Sequence, residues 1–111
     1  MGRLFIESIS STMVYKCKCC RVDLTSSGQI IDKNFQSKSG KAYLFNKVVN
    51  ITLGSCEDRS FVTGLHTVSD IHCSSCHQLL GWKYVKAYAD SQKFKEGKYI
   101  LEKARLLKDG W

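Results

Sequence analysis

Four cysteines in two matched pairs carry the plainest chemistry in this 111-residue chain. Cys17 and Cys20 stand in YKCKCCRV, and Cys73 and Cys76 in HCSSCHQ, each pair spaced C-x2-C with residues 21–72 between them. A C-x2-C turn brings two thiolates together, and an ion bound tetrahedrally at about 2.3 Å holds neighbouring sulfurs about 3.7 Å apart. Two such turns remote in sequence are predicted to meet around one shared ion, which staples them into a single body. Four thiolates suit a soft, redox-silent, tetrahedral ion, so zinc is favoured over an iron–sulfur cluster. With every position taken by sulfur, water has no place on the metal, and the single Zn²⁺ is expected to be structural.

The remaining donors are weaker. Cys19 lies inside the first turn, its backbone amide placed to hydrogen-bond a thiolate and its side chain pointing away. Pairing Cys17 with Cys19 instead leaves a poor chelate loop. His72 and His77 flank the second pair and could replace a sulfur, though exposed decoration of the turn is the favoured reading. Cys56, in LGSCEDRS, has no partner by spacing and no His beside it to lower its pKa, so it reads as an inert thiol.

These residues need a scaffold that joins two distant turns. Hydrophobic residues make up 43% of the chain and charged ones 24%, a composition that folds, at a length that allows one domain. A single small core is marginal at this size and is often supplemented by a metal or disulfides. The opening MGRLFIESIS has charges at Arg3 and Glu7 and is not an export signal. No run reaches the apolar length of a membrane span. The chain is therefore expected in the reducing nucleus or cytoplasm, with no membrane partner, where clustered cysteines bind metal. Net charge is +7; four thiolates on one Zn²⁺ would reduce that excess, which suits an acidic protein patch or nucleic acid.

Glycines punctuate short apolar stretches, and proline is absent. AYLFNKVVNITL (42–53) is predicted as strand, either one bent strand or two broken near Asn46-Lys47. FVTGLHTVSDI (61–71) and GWKYVKAY (81–88) read likewise, with Trp82 and Tyr84 on one face and Lys83 and Val85 on the other. KYILEKARLL (98–107) fits strand or helix, and strand is preferred. The fold class is mainly β.

The order of Cys17-x2-Cys20, NFQSKSGKAYLFNKVVNITLG (34–54), TGLHTVSDIHCSSC (63–76), LGWKY (80–84) and SQKFKEGKYILE (91–102) resembles the Yippee-like family. With MGRLF at the start, the likeness runs to about Leu106, giving a Yippee domain over 1–107 and a tail over 108–111. The opening MGRLF most resembles the branch associated with a ubiquitin-ligase complex. The resemblance implies a β-tent, two antiparallel sheets pinned by a four-cysteine zinc site, related to the thalidomide-binding domain of cereblon. It also implies nuclear and cell-division settings. Cys19 and Cys56 depart from the family pattern without touching the four ligand positions.

Three functions follow for weighing. A methionine sulfoxide reductase of this fold needs a cysteine downstream of the second turn, and none follows Cys76; no other catalytic constellation is visible, so no enzyme is expected. LGWKY is similar to a stretch of cereblon's aromatic cage, so Phe61, His66, Trp82 and Tyr84 could line a ligand-binding cleft between the sheets. The same rings could simply fill a small β core, and His66 could be a buried, hydrogen-bonded support for a loop. Lys93, Lys95, Lys98, Lys103, Arg105 and Lys108, interleaved with Phe94 and Tyr99, form a candidate nucleic-acid face, with Glu96, Glu102 and Asp109 diluting it. The preferred reading is a non-enzymatic zinc module that binds a protein partner as an adaptor or regulatory subunit. Nucleic-acid binding is the alternative.

Overall fold

Nine strands and three short 3-10 turns make up the computed structural model, which describes residues 6–11 and 13–108. The MGRLF opening and residues 109–111 of the expected tail lie outside the described residues. In chain order the strands are β1 (Val14–Cys17), β2 (Asp23–Ser26), β3 (Ile30–Ser37), β4 (Gly40–Phe45), β5 (Ile51–Phe61), β6 (Gly64–Cys73), β7 (Leu79–Ala87), β8 (Tyr99–Glu102) and β9 (Leu106–Lys108). They form two sheets, one of three strands ordered β2-β1-β9 and one of six ordered β3-β4-β8-β7-β6-β5. Every pairing is antiparallel. The mainly β, two-sheet architecture is thus the one expected, and no helix among the described residues is long and apolar enough to cross a membrane.

Several strand boundaries differ from the sequence expectation for local reasons. The 42–53 stretch is two strands, β4 and β5, separated by residues 46–50, and Asn50 there takes a left-handed φ of 60°. Asn is among the few non-glycine residues that take that conformation readily. The expected strand at 61–71 contains a hairpin turn: Phe61 ends β5 and Gly64, at φ 119°, begins β6. Only Gly adopts such a φ without strain, and the apolar residues around it hide that signal from a pattern search. The 98–107 stretch is extended, but a 3-10 turn at Lys103–Arg105 divides it into β8 and β9. That turn lets the chain leave the large sheet and add β9 beside β1, where Lys16 lies opposite Leu107. Strand structure continues to Lys108, the last residue of β9.

The central strands of the large sheet are buried on both faces. Tyr43, Phe45, Ile71, Cys73, Leu80 and Leu101 face the small sheet and pack with Tyr15, Leu24 and Leu106. On the opposite face, Ala42, Leu44, Val68, Trp82, Tyr84 and Ile100 form a second cluster, flanked by Phe35 and Phe61. Strand alternation accounts for the division, since Ala42 and Leu44 point one way and Tyr43 and Phe45 the other. Burying both faces lets a short chain hold two cores.

Gly81 sits where β7 crosses closest to β8, opposite Leu101. A Cβ at this position would lie 1.9 Å from the Ile100 carbonyl oxygen, a backbone atom that cannot rotate away. Gly81→Ala is predicted to cost about 3 kcal/mol or more through forced strand separation, read as a large fall in melting temperature; an unchanged melt would contradict this packing.

Candidate metal centre and aromatic cleft

The two C-x2-C turns are built alike. Cys17 ends β1 and Cys73 ends β6, and in each case the second cysteine follows in a tight turn. The Cys17 amide donates to the Val22 carbonyl at 2.9 Å and the Cys73 amide to the Gln78 carbonyl at 2.9 Å. The Arg21 amide returns to the Cys17 carbonyl at 2.7 Å and the His77 amide to the Cys73 carbonyl at 2.9 Å. Arg21 and His77, each directly after a second cysteine, both hold a left-handed φ of 67°. This repeated strain in non-glycine residues is the kind of outlier that marks a functional site. It also gives His77 a backbone task in place of the ligand role open to it in sequence.

The two turns meet. The ligand atoms of Cys17, Cys20, Cys73 and Cys76 all lie within 4.8 Å of one another. The close pairs run across the turns: Cys17 Sγ is 3.5 Å from Cys76 Sγ, and Cys20 Sγ is 3.4 Å from Cys73 Sγ. These separations fall slightly inside the roughly 3.7 Å of a tetrahedral thiolate site. Neither His72 nor His77 joins the group among the described residues. Cys19 and Cys56 are exposed and stand apart from it.

The surroundings treat the sulfurs unequally. Gln78 Nε2 donates to Cys17 Sγ at 3.2 Å, so the second turn supports a ligand of the first. Burial raises the Cys20 thiol, but the Val22 amide and the neighbouring thiols outweigh it and bring it down to about 7. Burial and the crowded sulfurs push Cys73 and Cys76 up, against amide bonds from Ser75 and Cys76 to the one and from Gln78 to the other. One sulfur thus ionises readily while two of its neighbours resist, because adjacent like charges disfavour one another. A cation removes that conflict, and the donor set fits a soft tetrahedral metal.

Asn50 ties this centre to the rest of the chain. Its side chain accepts from the Glu7 amide at 2.8 Å and donates to the Glu7 and Asp23 carbonyls at 2.8 and 2.7 Å. Its carbonyl accepts from the Ser74 amide, inside the second turn, at 2.9 Å. Sequence reading passed over Asn50; the Val-Val-Asn-Ile step between two apolar runs was the available signal.

Phe61, His66, Trp82 and Tyr84 form one contiguous aromatic group on the opposite face of the large sheet. Phe61 stacks on Trp82 with centroids 5.5 Å apart at 20°, and lies 5.5 Å from His66 and 5.9 Å from Tyr84. His66 is 4.9 Å from Tyr84. His66 and Tyr84 are wholly enclosed, and Trp82 is 8% exposed. His66 Nδ1 bonds the Gly64 carbonyl at 3.0 Å, at the β5–β6 hairpin turn, and Asp70 pairs with Arg59 at 3.1 Å. Burial raises the Tyr84 phenol, with the Trp82 indole partly offsetting it. Much of this group is therefore core.

Open space flanks the Phe61–Trp82 stack on two sides. A cleft of about 580 Å³ is lined by Gln36, Arg59, Phe61, Asp70, Trp82 and Glu102. A second, of about 410 Å³, is lined among others by Phe35, Phe61, Trp82, Tyr84, Phe94 and Lys95. The sequence expectation of a cleft between the sheets is corrected here. Both clefts take residues from β3 and β5, the two edges of the large sheet, and none from the small sheet, because the large sheet curls until its own edges face one another.

The basic C-terminal cluster does not form one solvated face. Lys95 is buried, Lys93 pairs with Glu96 at 3.4 Å, and Lys98 bonds Asn46 at 2.7 Å. Arg105 stands 4.0 Å from Glu102, and Lys108 lies over the Tyr15 ring on the small sheet.

Residues 13–108 match the family described as "Yippee zinc-binding/DNA-binding /Mis18, centromere assembly". A yippee-like protein of Oryza sativa subsp. japonica is 52% identical over 117 residues, covering 98% of each chain. Yippee-like protein 3 of Homo sapiens is 52% identical over 98 residues, covering 87% of this chain and 82% of the human protein. The solved Mis18 "Yippee-like" domain superposes with a TM-score of 0.69 over 89% of this chain and 96% of that one, at 15% identity, a likeness of fold alone.

Cys17→Ser and Cys73→Ser are each predicted to lower metal content and melting temperature together, since binding energy at a structural thiolate site of roughly 10–16 kcal/mol is folding energy. Elemental analysis beside thermal unfolding checks this; full metal loading with an unchanged melt would exclude that cysteine as a ligand. Asn50→Ala, which deletes three hydrogen bonds and a favoured left-handed residue, is predicted to cost about 2–4 kcal/mol in chemical unfolding.

Proposed function

This chain belongs to the Yippee family, and from that premise we propose that it is a non-enzymatic zinc-binding module that captures a protein partner, serving as an adaptor or regulatory subunit. The metal is read as Zn²⁺, one per chain, from the four-sulfur donor set and the zinc-binding description of the family. A site closed by four protein ligands leaves no position for substrate or water, so the ion holds the fold and does no chemistry. Cys56 is exposed on β5 and lies opposite Ser69, with no histidine next to it or across from it in the register.

The single observation that carries the interaction reading is the pair of clefts beside the Phe61–Trp82 stack, rimmed by exposed apolar residues. Val62 is fully exposed and Phe94 is 55% exposed, although both flank a buried aromatic core. Apolar rings at the mouth of a preformed cleft suit recognition, with aromatic anchors supplying most of the binding energy. Trp82 is the floor of this site and Phe61 its wall. The rim, not Trp82, is where a partner is read without loss of fold. The reading places the protein in the nucleus or cytoplasm, where the thiolates stay available to metal.

The test is affinity capture with wild type, Val62→Asp and Phe94→Ala at low and high salt, with and without nuclease. Both variants are expected to retain the wild-type melt and to lose a specific protein partner at least tenfold, with capture surviving high salt. Capture that ignores both variants but disappears with nuclease or salt would favour nucleic-acid binding instead, because phosphate contacts weaken as counterions compete.

A further inference from the structure

One cation is buried in the smaller cleft. Lys95 closes the 3-10 turn Asp90–Lys95 and is 3% exposed. Its Nζ donates to Thr63 Oγ1 at 3.0 Å and stands 5.3 Å from the Phe35 and Tyr84 ring centroids and 5.9 Å from that of Phe94. Among the described residues no carboxylate lies within ion-pairing distance of it. Asp32, on the wall of the same cleft, acts on it only at longer range and turns Oδ1 to the Asn34 amide at 2.8 Å. Burial lowers the pKa of this lysine, with Asp32 acting the other way. Enclosing a cation among rings without a counter-ion is costly unless an anion can complete it.

A second donor lines the same space. Trp82 borders both clefts, and among the described residues its buried indole Nε1 meets no acceptor in hydrogen-bond geometry, although it lies near enough to the Tyr84 phenol to offset part of that group's upward shift. A buried N–H without a well-aligned acceptor is uncommon. Two donors, one of them charged, thus border a cleft whose other walls are the rings of Phe35, Phe61 and Phe94.

We propose that the cleft between β3 and β5–β7 receives the C-terminal carboxylate of a partner chain ending in an aromatic residue, with Lys95 as its cation, Trp82 Nε1 as a hydrogen-bond donor, and Phe35, Phe61 and Phe94 around the terminal ring. Charge complementarity selects the carboxylate over a neutral or cationic end. Continuity selects a chain end over a free small acid: Gln36, Phe61 and Trp82 line both clefts, so a peptide whose end meets Lys95 can continue past the stack into the larger cleft. There Arg59 and Ser37 can meet its backbone carbonyls. This proposal rests on the protein-interaction reading and narrows it to one kind of partner.

The test is direct titration of the zinc-loaded protein, followed by the Trp82 indole N–H resonance, with N-acetylphenylalanine, N-acetylphenylalaninamide and benzoate. N-acetylphenylalanine is expected to bind at least tenfold more tightly than its amide and to shift the Trp82 signal. Lys95→Met should erase that preference, and Asp32→Asn, which removes a competing negative charge at the cleft wall, should strengthen N-acetylphenylalanine binding about threefold. If Lys95→Met does not fold, the acid-against-amide ratio in wild type and the Asp32→Asn gain decide the matter. Equal binding of acid and amide, or no shift at Trp82, overturns the carboxylate assignment; tighter binding of benzoate overturns the chain-end assignment. Either failure, alongside capture still lost in Val62→Asp, leaves the interaction reading standing, whereas capture indifferent to the rim variants would remove its basis separately.

Discussion

Four thiolates held within 4.8 Å of one another repel unless a cation lies among them, and the joining of the two sheets depends on that repulsion being removed. Cys17 and Cys20 belong to the small sheet and its first turn, and Cys73 and Cys76 to the end of β6 in the large one. Among the described residues no strand pairing joins the two sheets. Their connection includes the sulfur cluster, the shared core around Tyr15, Phe45 and Leu106, the bonds through Asn50 and Gln78, and those from Thr25 to Lys47 and from Val49 to Leu24. Three strands of three or four residues are too few to stand alone, so docking on the metal side is what makes the small sheet possible.

With one face of the large sheet sealed by the small sheet, its other face is free to curl around aromatic rings. β3 and β5 carry Gln36 and Phe61 to the same cleft although they occupy opposite edges of a six-stranded sheet. The face packed on the small sheet and the face that carries the clefts are therefore back to back on the same strands. Tyr43 serves one and Leu44 the other; Leu101 serves one and Ile100 the other. Such sharing builds the floor of the cleft from the same sheet that carries Cys73 on its other face. It also means that floor residues cannot be varied without cost to the fold.

The cysteine spacing made the four-sulfur cluster legible because two identical short motifs leave few alternatives, and the alternation around Trp82 and Tyr84 exposed one face of β7 in the same way. What stayed hidden were features set by tertiary context. Val62-Thr63-Gly64 reads as part of an apolar strand, yet the hairpin turns there. The short strands β1 and β2 carry no pattern long enough to recognise, and they pair with each other beside the cysteine cluster. Lys95 sits in a run of charges that reads as solvated, and only the curl of the sheet puts it under Phe35 and Tyr84. Asn50 looks like a loop residue in sequence and is a junction in three dimensions. In each case distant strands, not neighbours in the chain, decide the environment.

Membership of the Yippee family and the Mis18-like fold set the architecture, and the roles of metal and cleft within it are physical propositions about this chain. The most direct test of the central one is X-ray absorption at the zinc edge on purified protein, with metal stoichiometry measured on the same sample. One zinc per chain surrounded by four sulfurs at about 2.3 Å is the expected result. Folded protein free of metal, or a coordination shell containing nitrogen or oxygen in place of sulfur, would contradict the four-cysteine clamp on which the two-sheet structure is said to depend.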